Sequence, residues 1–168
     1  GVLLFAKDEE TNRLMQIQFM EKEVSKTYKA IVRGWTDDEG SIDYALTNDS
    51  GKTQDAITHY KTLQRTEIDL PNGKFSTARF SLVELAPETG RMHQLRKHLA
   101  HILHPIIGDR PHGCNKQNKL FLEQFSMIEM MLHAEKLTFT HPNTSDEVSI
   151  HSEIQGEMKR MMGELKFE

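Results

Sequence analysis

Hydrophobic positions recur along the chain with two periods, and their alternation marks out the elements. Gly1 to Ala6 is almost continuously apolar and predicts a strand. From Asp8 to Glu23 the spacing becomes helical, with Leu14, Ile17 and Phe19-Met20 on one side. Asp8, Glu9 and Glu10 stand in its first turn, where the helix dipole favours acids. Lys26 to Arg33 alternates, placing Tyr28, Ala30 and Val32 on one face and Lys29, Ile31 and Arg33 on the other, as in a half-buried strand. Extended stretches are also predicted at Ala56 to Leu63, Ser76 to Leu85, Met131 to Thr140 and Val148 to Ile150. Turn and loop chemistry separates them at Asp37 to Ser41, Asn48 to Lys52, Pro71 to Gly73 and Pro87 to Gly90. A helix is predicted from about Arg91 to Leu103, with Leu95, Leu99, Ile102 and Leu103 forming an apolar stripe, and Pro105 stops it. Residues 105–119 lack periodicity and read as a long loop. A last helix is predicted over Glu153 to Leu165.

This succession predicts one α+β domain, a mixed and mainly antiparallel sheet with flanking helices. A buried strand at the first residue is unusual, because chain termini are generally loose. It predicts that residues 1–168 are one domain whose N-terminal portion lies upstream of Gly1. A sheet lacking strands exposes an unpaired edge, so association beyond the monomer is expected. Methionines cluster at Met127, Met130-Met131, Met158 and Met161-Met162, where an unbranched side chain suits irregular core gaps. No apolar run approaches the roughly 20 residues that span a bilayer, so no membrane partner is expected. A lone Cys114 can form no internal disulfide, in keeping with a reducing cytoplasm.

Charge changes the picture locally. The formal net charge is −4, yet residues 91–119 hold six bases (Arg91, Arg96, Lys97, Arg110, Lys116, Lys119) against Asp109, a local +5 that leaves −9 elsewhere. Five of the nine histidines fall there too. Such a stretch is either a solvated basic face or a nucleic-acid interface. At the predicted helix start, Arg91 and Arg96 are five residues apart and point about 140° from each other, so one can face inward while the other stays at the rim. An inward arginine needs a carboxylate or phosphate partner. His98, His101 and His104 stand at three-residue spacing, but His98 and His104 diverge by about 120°. With no cysteine pair and no HExxH, no metal site is expected.

The same stretch carries a longer pattern. Gly90-Arg91, His93-Gln94-Leu95-Arg96, His98, His104-Pro105-Ile106 and Gly108-Asp109 resemble the TGR-x-HQLR-x-H and HPI-x-GD block of the RluA family of pseudouridine synthases. Lys26 to Gly34 is similar to that family's tyrosine strand. Leu132-His133-Ala134, Leu137 and Thr140-His141-Pro142 are similar to its late strand, and Gly1 to Lys7 to the segment after its catalytic loop. The resemblance extends to about residue 151. AIVRGW (30–35), ITHY (57–60), HPIIGD (104–109) and His112-Gly113 followed by Asn118 resemble the branch directed at tRNA, whose framework the rRNA-directed members share.

The resemblance implies an enzyme that detaches uracil from ribose, turns the base and rejoins it through carbon, with no cofactor and no metal. The target base must first be flipped from folded RNA, here tRNA or, alternatively, rRNA. The family's nucleophile is an aspartate in an HRLD-type loop immediately before the strand that begins here at Gly1. No HRLD occurs in the chain, which predicts that these residues alone are inactive. By position in the motif, the catalytic residues implied are Arg96, pairing with that aspartate, and Tyr28, packing on the uracil and assisting proton removal from its carbon. Leu132 is implied as a wall of the uracil pocket. Arg91, Lys97 and Arg110 are candidates for phosphate contacts from their charge. A non-catalytic RNA-binding module is the alternative that a missing nucleophile leaves open.

Overall fold

Residues 1–71 and 74–167 are described by the structure, a computed structural model. The elements run α1 (Glu9–Met20), β1 (Ser25–Arg33), β2 (Glu39–Asp43), β3 (Leu46–Thr47), β4 (Thr53–Gln54), β5 (Ile57–Ile68), β6 (Ala78–Pro87), α2 (Gln94–His101), α3 (Asn115–Phe125), β7 (Leu132–Thr140), β8 (Glu147–His151) and α4 (Gly156–Glu164). Six strands form one antiparallel sheet in the order β2-β5-β6-β1-β7-β8, while β3 and β4 make a small hairpin of their own. The α+β class with a mainly antiparallel sheet is therefore as the periodicity predicts.

Register decides which helix covers which face. Tyr28 stands opposite Leu85, and Leu85 opposite Tyr60, so these three and Thr58 share one face of the sheet. The α2 helix lies there, since Gln94 and His98 both bond to the Thr58 hydroxyl. Arg33, Phe80 and Thr66 are register partners on the opposite face. There the Phe121 ring of α3 meets Phe80 edge-on at 5.4 Å, and Thr66 Oγ1 donates to the Leu165 carbonyl just beyond α4. The main core lies between the sheet and these helices and includes Ile31, Phe80, Leu99, Phe121, Met131 and Met161. A smaller cluster joins Met15 of α1 to Val24, Leu137 and Phe139.

Several elements differ from the sequence-based expectations. Gly1 to Ala6 forms no strand: β8 pairs with β7 from Lys136 to Thr140, and the opening segment makes one backbone bond, Val2 N–H to the Ala134 carbonyl. In α1 the residues that bury are Met15 and Gln18, because Gln18 exchanges two hydrogen bonds with the Thr140 backbone, while Phe19 and Met20 face solvent. Glu39 to Ser41 are strand rather than turn, held in β2 by pairing with β5. Strand β1 is central, so Ile31 is as buried as Ala30 and Val32, and its alternation is lost. The predicted loop at 105–119 gives way to α3 from Asn115; its inner face carries Gln117 one turn before Phe121, too polar a pair to signal a helix. Helix α2 is shorter than predicted, and Leu103, beyond its end at φ +66°, is 73% exposed. The turn expected at Pro71 to Gly73 falls largely outside the described residues. Among the described residues, no helix is long and apolar enough to cross a membrane.

Phe121 anchors α3 through Phe80 and Phe125. Phe121→Ala is expected to lower unfolding free energy by about 3–5 kcal/mol in urea titrations. A loss below about 1 kcal/mol would show that the ring fills no tight core site.

Candidate active site

The turn before α2 is built around one side chain. Gln94 is buried, and its Oε1 accepts from the Thr89 hydroxyl at 2.6 Å and from the Arg91 N–H at 3.0 Å. Its Nε2 donates to the Ile57 carbonyl and the Thr58 hydroxyl, both at 3.0 Å. One amide thus ties residues 89–91 to β5 and delays the helix until Gln94, with His93 held in the left-handed region at φ +56°. His98, fully buried one turn on, continues the network. Its Nε2 meets the Tyr44 carbonyl at 2.9 Å and its Nδ1 the Thr58 hydroxyl at 3.0 Å. A carbonyl only accepts, so the ring proton sits on Nε2 and Nδ1 accepts from Thr58. Burial lowers the His98 pKa and keeps the ring neutral.

This turn forms one wall of a cleft of about 200 Å³, with Tyr28 and Lys26 of β1 and Leu132 of β7 on the other side. Arg91, His93 and Arg96 also line it. Four of the six residues singled out in the sequence, Tyr28, Arg91, Arg96 and Leu132, are therefore neighbours in space. Burial raises the Tyr28 pKa above the ordinary tyrosine value, so its phenol is protonated at neutral pH. Lys26 has the same strand parity as Tyr28, so the period of two already places both on one face. Its ammonium lies 3.5 Å from the Thr89 carbonyl, and burial lowers its pKa. Among the residues lining the cleft there is no carboxylate.

Arg96 is the inward arginine, and its partner is Asp109. Nε donates to Oδ2 and Nη2 to Oδ1, both at 2.8 Å, a bidentate pair whose side chains are 16% and 1% exposed. Burial pushes the Asp109 carboxyl upward, but the Arg96 guanidinium and the His112 amide hold it below the ordinary carboxylate value. Asn118 braces the motif by accepting from Gly108 N–H at 3.0 Å and donating to the Asp109 carbonyl at 2.7 Å. Gly108, at φ +82°, lies so close to the Glu129 carbonyl that no Cβ would fit. Nη1 of Arg96 has no hydrogen-bond partner among the described residues, and Arg96 lines the cleft. Reading Asp109 only as part of a later motif missed this pairing, for which thirteen residues of separation gave no signal.

The remaining candidates separate. Arg91 Nε donates to the Asp55 carbonyl at the cleft rim. Lys97 does not line the cleft, and Arg110 lines a different one, with Asn115, Lys119 and Ile128. The histidines are engaged individually: His101 stacks on Tyr44 at 3.7 Å, His104 bonds to the Arg33 carbonyl, and His93 meets His112 at 3.1 Å.

The profile of the family described as RNA pseudouridylate synthase matches residues 1–101. The chain belongs to the RNA pseudouridylate synthase family. Two similar proteins carry the name tRNA pseudouridine synthase C. That of Vibrio vulnificus (strain CMCP6) is 47% identical over 165 residues, and that of Vibrio parahaemolyticus serotype O3:K6 (strain RIMD 2210633) is 44% identical over 165. Each comparison covers 92% of this chain and 67% of the relative, so the chain spans about two thirds of their length. The solved structure of human RNA Pseudouridylate Synthase Domain Containing 4 shares the fold, with a TM-score of 0.72 at 22% identity over 95% of this chain and 69% of that one. The profile match ends at His101, so Tyr28 and Arg96 lie within the part that the RNA pseudouridylate synthase family defines.

Asp109→Asn removes one partner of the ion pair and is expected to cost about 3 kcal/mol of unfolding free energy at pH 7. Because the folded-state pKa of Asp109 is depressed, its contribution is complete above the unfolded value of about 3.9 and is lost as pH falls through the folded value. The gap between wild type and variant should therefore close as urea titrations move below about pH 4. A gap independent of pH would show that the carboxylate charge is not what stabilises.

Proposed function

We propose that this chain is the body of a tRNA pseudouridine synthase, in which the cleft between Tyr28, Leu132 and Arg96 receives the flipped target uridine. The carrying observation is the convergence of these three residues, from β1, β7 and α2, on one cleft in a chain of this family. Each contributes a different kind of contact: a flat protonated phenol, an aliphatic wall and a permanent positive charge. The names of the Vibrio relatives support tRNA as the substrate.

The nucleophile in this reading is an aspartate supplied by the segment preceding Gly1. Gly1 packs directly on the backbone of Ala134, and Ala134 is the register partner of Tyr28. Residues preceding Gly1 therefore arrive beside the cleft, where Arg96 Nη1 has a hydrogen-bonding position to offer. Asp109 already neutralises and orients Arg96, so an incoming carboxylate meets a guanidinium held in place rather than a mobile side chain. That contact favours the ionised carboxylate that attack on the nucleoside requires. Attack of the carboxylate at the ribose carbon releases the uracil, the base turns between Tyr28 and Leu132, and its carbon then displaces the carboxylate, with the proton of that carbon lost and one gained at the freed ring nitrogen. Tyr28 enters this sequence protonated, so it takes a proton from the base carbon only as it passes its own on. Lys26 and Arg91 add positive charge at the rim, suited to the phosphates flanking the flipped nucleotide.

The test uses the protein extended upstream through the aspartate loop, incubated with unmodified tRNA and read by nucleoside chromatography. Pseudouridine formation is expected. RNA binding without isomerisation would instead favour a non-catalytic RNA-binding protein. In the extended enzyme Arg96→Ala should lower turnover by at least about 10²–10³-fold, the loss seen when a positioned charge contact is removed from a reacting site. Arg96→Lys should not restore it, because an ammonium cannot hold two carboxylates with a planar fork; near-normal turnover in either variant would remove Arg96 from the reaction. Tyr28→Phe keeps the flat face and should bind tRNA normally while turnover falls about 10²-fold. Unchanged kinetics would reduce Tyr28 to packing.

A further inference from the structure

On the opposite face of the sheet and at the other end of β1 lies a second cavity, larger than the first, at about 440 Å³. Arg33, Phe75, Thr77, Arg79 and Gln117 contribute side chains to it. Gln117 is the unusual member. It is 3% exposed and makes no side-chain hydrogen bond among the described residues. No fully enclosed side-chain polar atom in the described residues lacks a partner, so the Gln117 amide keeps some accessible surface, and the residue lines this cavity. A buried amide without partners costs free energy unless something polar meets it there. Its placement is rigid, since Phe121 lies one turn further along α3, locked against Phe80.

The rest of the cavity suits a planar anion. Phe75 is 64% exposed and offers a ring at the wall. Among the described residues Arg33 has no carboxylate partner, and its Nη2 donates to the Leu103 carbonyl. Arg79 pairs with Glu67 at 3.0 Å and lies 4.2 Å over the Trp35 ring. With Lys74 above Phe75, three cations face one carboxylate, in the part of the chain that is otherwise acidic. Arg91 and Arg96 border the first cleft, Arg110 lies on the connection from α2 to α3, and Lys116 flanks Gln117 on α3.

We propose that this cavity is a second nucleotide subsite, which takes an unpaired nucleotide of the RNA whose target uridine enters the Tyr28 cleft. The base lies against Phe75 with its hydrogen-bonding edge on the Gln117 amide, which offers both a donor and an acceptor, and its phosphate meets Arg33 and Arg79. Tyr28 and Arg33 are five residues apart on β1, roughly 17 Å at about 3.3 Å per residue, and stand on opposite faces of the sheet, so the RNA has to pass round the molecule to reach both. The subsite would thus select RNAs presenting a second unpaired base at a set distance from the target. This inference rests on the RNA reading above.

Trp35 is the single tryptophan of the chain and is stacked with Arg79, which makes it a built-in reporter. Titrating the chain with unmodified tRNA should change its fluorescence. Phe75→Ala and Gln117→Leu should each raise the Kd about tenfold, within the range for losing one stacked base, with unchanged circular dichroism. Phe75→Tyr should restore binding. Wild-type Kd values in both loss variants, or no binding by the wild-type chain, would overturn the subsite. Pseudouridine formation by the extended enzyme is scored separately. Isomerisation with no effect of either variant sinks the subsite alone, while Phe75-dependent binding with no isomerisation sinks the enzymatic reading and keeps the subsite.

Discussion

The Arg96–Asp109 pair is the constraint on which the cleft depends. A guanidinium cannot shed its proton, and one turned inward from the start of a helix carries a desolvation cost of several kcal/mol unless matched. Asp109 matches it from an almost fully buried position and takes two of its donors in a planar fork. The carboxylate is fixed in turn by the His112 amide and by Asn118, which spans the Gly108-Asp109 turn. Arg96 is therefore a positioned charge with a direction of its own.

A second network sets the opposite wall. Gln94 joins the 89–91 turn to β5, and Thr58 passes the connection to His98 and so to Tyr44. Every member has a partner, and the neutral ring of His98 fits a network that holds no charge. Helix α2 is thus held by a charged clamp on one side and a neutral one on the other. Between them the central strand β1 presents Tyr28 and Lys26, with Leu132 beside them from β7. Helices α3 and α4 cover the far face, and the chain between α2 and α3 carries Arg110 from one side of the sheet to the other.

Much of this was legible before the fold was known. The tyrosine strand, the late strand, the turn at Pro87 to Gly90 and the helix after it all sit near their predicted places, because each rests on local periodicity or turn chemistry. The misses share one cause. Gly1 to Ala6 has the composition of a strand but no ladder to join, since β8 holds the neighbouring edge of β7. Glu39 to Ser41 has the composition of a turn but is recruited by β5. Asn115 to Phe125 opens on a wholly polar turn before Leu120, Phe121 and Phe125, and Phe121 anchors the element by finding Phe80. In each case a partner distant in sequence overrode the local preference.

By itself the sequence determined the α+β class, the family and four of the residues that meet in the cleft, because motif and period are local and survive in a one-dimensional record. It also showed that one of the two arginines near the helix start can turn inward, although Arg91 lies before α2, where the 100° step of a helix does not apply. What only the tertiary structure decided is who answers that arginine. Asp109 and Arg96 come together across a helix end and a loop, Gln94 and Thr58 across the sheet, and Gln117 and Arg33 from elements more than eighty residues apart. Such pairings follow from how surfaces bury against each other, and burial is a property of the packed chain that no single stretch of it contains.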